Sequence, residues 1–140
     1  MSEPLDLLKT YHDHISRSID EKGVYPHQMM CEDDDGKLGV YALMLNKPHE
    51  VLQAVLKALM EHKPKQLIYG LDRFCKSGQG TTLGDCIAGL YWNGEAWRPF
   101  IIEYQHEPRV VKPIDFDNQW WKKSLQQEWT DFLKRALLQE

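Results

Sequence analysis

The residues best equipped for chemistry lie in one stretch, Asp72-Arg73-Phe74-Cys75-Lys76-Ser77-Gly78-Gln79-Gly80-Thr81-Thr82. Its two glycines free the backbone to turn N–H groups toward an anion, and Arg73 and Lys76 add positive charge beside them. Arg73, Lys76, Ser77, Gly78, Gln79 and Gly80 are therefore the candidate ligand-binding residues, suited to a small anion such as a phosphate or carboxylate. The stretch is not a phosphate-binding P-loop. No Gly-Lys-Ser/Thr run follows the glycines, and a strand rather than a helix comes next. The same composition also suits a plain surface connection between strands, with the glycines serving its turns.

Acid–base chemistry would draw on Asp72, Asp85 and Glu103, each at a strand end or within an apolar strand, where burial raises a carboxyl pKa. Asp85 and Glu103 fall on opposite faces of the hairpin they share, which argues against a dyad. Cys75 is the cysteine nearest positive charge, the setting that favours a thiolate. Asp72, Asp85 and Cys75 are thus the catalytic candidates. A hydrolase or nucleotide-processing enzyme would centre on Asp72, Arg73, Lys76 and Asp85.

Metal binding finds little support. His12 and His14 stand two apart, roughly 200° around a helix, so their rings diverge. The remaining histidines lack ligand spacing, and Glu32-Asp33-Asp34-Asp35 lacks the alternating ligands and distal glutamate of a calcium loop. No cofactor motif occurs either. Three scattered cysteines (Cys31, Cys75, Cys86) fit no disulfide framework or zinc knuckle, and point to a reducing, cytoplasmic setting.

The chain that positions these residues has 140 residues, 42% of them hydrophobic, with five tryptophans, enough for one α+β domain with a single substantial core. No run approaches the roughly 20 apolar residues of a membrane span, and the N-terminus has no apolar signal region. A net charge of −4 argues against nonspecific nucleic-acid binding. The small clusters Arg73/Lys76 and Lys122/Lys123 would have to merge with Arg98 or Arg109 to make a basic surface.

Periodicity predicts a helix over about residues 4–21, with Leu5, Leu8, His12, Ile15 and Ile19 on one face. A hairpin follows around Asp35-Gly36, and its second strand, from Leu38, is so apolar that an interior position is expected. A second helix opens near Pro48 and carries Val51, Leu52, Val55, Leu56 and Leu59. Strands are expected over residues 66–74, 83–92 and 96–104, with Pro99 marking an edge or bulge. A last helix, capped by Asp115 or Asp117, presents Trp121, Leu125, Trp129, Phe132 and Ala136. The order α-β-β-α-β-β-β-α implies a five-stranded, mainly antiparallel sheet packed with helices. That element order resembles the profilin-like architecture of roadblock-type dimerisation modules.

With Asn93-Gly94 as a two-residue turn, Trp92 pairs with Glu95, Leu90 with Trp97 and Ala88 with Pro99. One face of the hairpin then carries Cys86, Ala88, Leu90, Trp92, Trp97 and Ile101. The other carries Ile87, Tyr91, Arg98, Phe100, Ile102 and Tyr104, too apolar to face water. Terminal helices or a second subunit must cover it. Phe100, Ile102 and Tyr104, with Trp120 one step off the main stripe of the last helix, are the candidate interface. The expectation is a cytoplasmic protein-interaction or assembly module, self-associating or binding another protein.

Overall fold

The computed structural model describes residues 6–22, 28–42, 48–76, 83–106 and 109–138. The described elements are α1 (Leu7–Lys22), β1 (Gln28–Glu32), β2 (Leu38–Ala42), α2 (Pro48–His62), β3 (Gln66–Lys76), β4 (Leu83–Trp92), β5 (Trp97–His106), β6 (Arg109–Val111) and α3 (Gln119–Leu138). The strands form one antiparallel sheet in the order β2-β1-β3-β4-β5-β6. The α+β class holds. The sheet has six strands rather than five, because Arg109–Val111 folds back on the end of β5.

Both predicted hairpin turns form, with different geometry from expectation at the second. Between β1 and β2, the Asp33 carboxylate accepts hydrogen bonds from the N–H groups of Asp35 and Lys37, and Gly36 takes φ 81°. That is a carboxylate-capped turn closed by a left-handed glycine, the solvated reading of the acidic run. Between β4 and β5 the connection is residues 93–96, not 93–94. The Asn93 side chain accepts from the N–H groups of Glu95 and Ala96, stabilising the longer turn. Trp92 therefore pairs with Trp97, Leu90 with Pro99, Ala88 with Ile101 and Cys86 with Glu103. The register moves by two, so every side chain keeps its face. The shift brings the Trp92 and Trp97 rings to 5.3 Å, a cross-strand aromatic contact the two-residue turn would have broken.

Each sheet face is covered by helix. On one, α1 packs Leu7, Tyr11, Ile15 and Ile19 against Met30, Ile68, Ile87, Phe100 and Ile102. The buried row of α1 is thus Leu7 and Tyr11 rather than Leu8 and His12, which are only half-buried. Tyr11 takes that place because its ring meets Phe100 edge-on at 5.8 Å. Gly70 makes room below it, since a Cβ there would sit 2.8 Å from the Tyr11 hydroxyl. On the other face α2 buries Val51, Leu52 and Val55 against Met29, Leu67, Tyr69 and Leu90. α3 drives Trp121 into Cys86, Ala88 and Ile101.

Two local expectations change for identifiable reasons. Asn118, not Asp115 or Asp117, caps α3, its side-chain oxygen accepting from the Trp121 N–H. Asp115 is taken up in a bridge to Ile101. Pro99 does sit where an edge opens. The Ile101 N–H bonds Asp115 on the side away from β4, so two residues earlier the missing proline N–H faces that same open side.

β2 departs most from expectation. It lies at the edge of the sheet, not inside it. Both β2 and β3 pair with β1, so α2 carries the chain across β1 and leaves β2 outermost.

Candidate functional site

The edge position of β2 gives it an unusual surface. Leu38, Val40 and Tyr41 are 43%, 47% and 43% exposed. Val40 pairs with Met30 on the α1 side of the sheet, yet α1 covers Met30 and stops short of Val40. On the opposite side Tyr41 lies over Gly39 and stacks on His62 at the end of α2. The Asp33 N–H bonds the Lys37 carbonyl, so the antiparallel alternation turns the N–H and C=O groups of Leu38, Val40 and Ala42 away from β1. Apolar side chains and backbone hydrogen-bonding groups turned away from β1 therefore share one strip, the combination that templates another strand.

A polar cluster occupies the far end of the α1 side. The Tyr104 hydroxyl donates to the Asp72 carboxylate at 2.7 Å, and Asp85 pairs directly with Tyr104 in the β4–β5 ladder. Burial pushes the Tyr104 phenol far above its ordinary range, and the hydrogen bond to Asp72 and the charges of Asp72 and Asp85 push it further. This phenol stays a neutral donor at physiological pH. Glu103 lies on the other face, as its pairing with Cys86 requires, beside Lys112 at 3.9 Å.

Of the loop candidates, Arg73, Cys75 and Lys76 have their backbone in β3, opposite Cys86, Gly84 and Leu83 of β4. Their side chains, and all of Ser77, Gly78, Gln79 and Gly80, lie outside the described residues. The first residues of the predicted anion cradle therefore lie on a strand, which runs to Lys76, two residues past the expected end at 74. Among the interface candidates, Phe100, Ile102 and Tyr104 are buried beneath α1 of the same chain, so a terminal helix rather than a second copy covers that face. Trp120 is half-buried, its ring tilted against Trp121 at 6.4 Å.

No group of three metal-binding side chains occurs among the described residues. The His12 Nε2 lies 2.8 Å from the Lys112 carbonyl, which spends that nitrogen on a structural hydrogen bond to the segment after β6. The thiols of Cys31 and Cys86 are buried, and burial pushes the Cys31 pKa up, away from thiolate reactivity. The basic residues also separate. The Arg98 guanidinium lies over the Phe116 ring at 3.9 Å, and Arg109 donates to the Asp20 carbonyl of α1, whereas Lys122 and Lys123 belong to α3 across the sheet. No described helix is long and apolar enough to cross a membrane.

A concave feature opens between α2, α3 and the β4–β5 hairpin. Trp121, Leu125 and Trp129 stand in one row of α3, and their exposure rises along it from buried through half-buried to 38%. The helix thus lifts from the sheet toward its C-terminal end. It leaves a groove of about 660 Å³ lined chiefly by Leu52, Leu90, Trp97, Pro99, Leu125 and Trp129. Neither this groove nor the β2 edge follows from periodicity, which reports that a residue is apolar and not what lies above it.

No protein-family model, curated protein or solved structure matches the chain.

Proposed function

We propose that the protein is a small interaction and assembly module that self-associates through β2. The observation behind the reading is the exposed apolar edge strand with its outward-turned backbone groups. An antiparallel pairing centred on Val40 sets Val40 against its own copy, Leu38 against Ala42 and Gly39 against Tyr41. Leu38, Val40 and Ala42 are the residues whose N–H and C=O groups face outward, so this pairing satisfies them symmetrically. It also joins two six-stranded sheets into one. A contact of five residues a side falls near or below the small end of specific interfaces, about 1,200 Å², so the dimer is expected to dissociate on dilution. The cytoplasmic setting and the roadblock-like, profilin-like identity belong to the same proposal. They rest on cysteine usage and on element order.

Sedimentation equilibrium over a wide concentration range tests the reading. The wild-type chain should move from monomer to dimer, and Val40→Lys should remain monomeric, its thermal midpoint matching wild type at concentrations where wild type is monomeric, because position 40 is already half in water. A wild-type chain that stays monomeric throughout, or a Val40→Lys variant that dimerises as well as wild type, sinks it.

The hydrolase reading has one observation behind it, the Asp72–Tyr104 pair beside Asp85. It is the lesser reading because the phenol is held neutral by a carboxylate that must then act as its acceptor.

A further inference from the structure

The groove between α2 and α3 differs from the β2 edge in shape and in charge, and it lies three strands away across the sheet. Its floor and one wall are apolar, with the Trp97 and Trp129 indoles and the side chains of Leu52, Leu90, Pro99 and Leu125. Its polar groups come from a single row of α3, Lys122, Gln126 and Thr130, spaced by four and therefore stacked along one side of the helix. The Thr130 hydroxyl is already used, donating to the Gln126 carbonyl. Among the described residues Lys122 is the charged residue of the lining, no carboxylate lines the groove, and Lys122 makes no ion pair.

The volume of about 660 Å³ lies within the range of pockets that enclose small molecules, 300–1,000 Å³ in rough terms. An apolar trough with one cation on its wall favours a compact apolar body carrying one negative charge. A cationic ligand would be repelled by Lys122, and an uncharged one would gain nothing from the ammonium, which is half-buried and reaches water. We infer that this groove binds a small apolar monoanion of the aliphatic or aromatic carboxylate class, the body against Trp97 and Trp129 and the carboxylate at Lys122. The inference stands apart from self-association through β2.

Octanoate and the uncharged 1-octanol, titrated below their aggregation limits and followed by tryptophan fluorescence and calorimetry, separate the two contributions. Wild type should bind octanoate saturably and more tightly than 1-octanol. Lys122→Gln should weaken octanoate about fivefold, the size of a half-exposed ion pair, and leave 1-octanol unchanged. Trp129→Ala should weaken both at least about threefold while leaving Val40-dependent dimerisation intact. Both positions are exposed enough for the variants to keep the wild-type far-UV spectrum, which is checked first. The inference is overturned by no saturable octanoate binding, by equal affinity for the two probes, by a Lys122→Gln variant that binds octanoate normally, or by a Trp129→Ala variant that changes solution mass but not probe affinity.

Discussion

Replacing Trp121 by alanine should be among the most damaging single changes to this fold. The side chain is 2% exposed and sits at the centre of the contact between α3 and the sheet, on Cys86, Ala88 and Ile101. Its indole N–H donates to the Gly89 carbonyl at 3.0 Å. Truncating a fully buried tryptophan costs roughly 3–5 kcal/mol through lost transfer energy and the cavity left behind. Phenylalanine keeps most of the apolar volume but removes the donor, which leaves a buried acceptor short of a partner at about 1–3 kcal/mol. The expected order is therefore Trp121→Ala worse than Trp121→Phe, each worse than Trp129→Ala. Trp129 stands two turns along the same row but is 38% exposed, so its truncation should cost about 1 kcal/mol or less. Urea unfolding followed by far-UV circular dichroism, with m-values compared across the series, reads these differences directly. A Trp121→Ala variant destabilised by less than about 1 kcal/mol, or a Trp129→Ala variant destabilised as much as Trp121→Ala, would refute the account of α3 as a helix anchored at its N-terminal end.

Two further changes follow from local geometry. Tyr104 and Tyr91 both have phenol pKa values raised above the ordinary value, each chiefly by burial, so the folded state holds those protons more tightly than the unfolded chain. That stability is fully present below about pH 10 and declines as pH rises above it, by at most about 1.4 kcal/mol per pH unit for each group. Urea midpoints measured across the alkaline range should fall accordingly, and Tyr104→Phe should remove one proton's share of the slope; an unchanged slope would place the phenol in water. Lys63 follows the last turn of α2 with φ 46° while its N–H bonds the Leu59 carbonyl. Lys63→Gly should raise stability by about 0.5 kcal/mol, relieving a left-handed strain of about 1–2 kcal/mol against the entropy a glycine adds to the unfolded chain. A thermal midpoint that falls instead would count against the left-handed cap.

Much of the fold is legible in the residues because local signals and burial agree there. β4 begins and ends where its alternation does, and both faces of the β4–β5 hairpin carry the expected side chains even though the pairing shifts by two. Period-two patterning fixes which side chains share a face. The turn chemistry of Asn93 decides which residues are neighbours across the ladder. Aspartate is a good cap wherever it occurs, so the residues alone point to Asp115 or Asp117 as the cap of α3. Only the tertiary bridge of Asp115 to Ile101 leaves the task to Asn118. β6 is three residues long and flanked by proline-containing sequence, too short for any periodicity to register. The Asp72–Tyr104 contact joins residues 32 apart, and no pattern in either segment announces the other.

The reading of β2 as an interior strand failed for a reason that bears on function. A near-continuous apolar strand is expected to have a neighbour on each side and cover on both faces. Among the described residues β2 has one neighbour, β1, and its exposed side chains project on both faces past the helices. The same residues would become interior on pairing with a second copy, because β2 would then lie between β1 and its symmetry mate. Edge strands that remain monomeric are commonly blunted by lysine, proline or a bulge, and residues 38–42, Leu-Gly-Val-Tyr-Ala, contain no charge and no proline. Lys37 stands just outside that run, held in the turn by its N–H bond to Asp33. The pattern that misplaces β2 in the isolated chain is the one an assembled sheet would require, so Val40→Lys tests the sequence reading and the proposed interface at once.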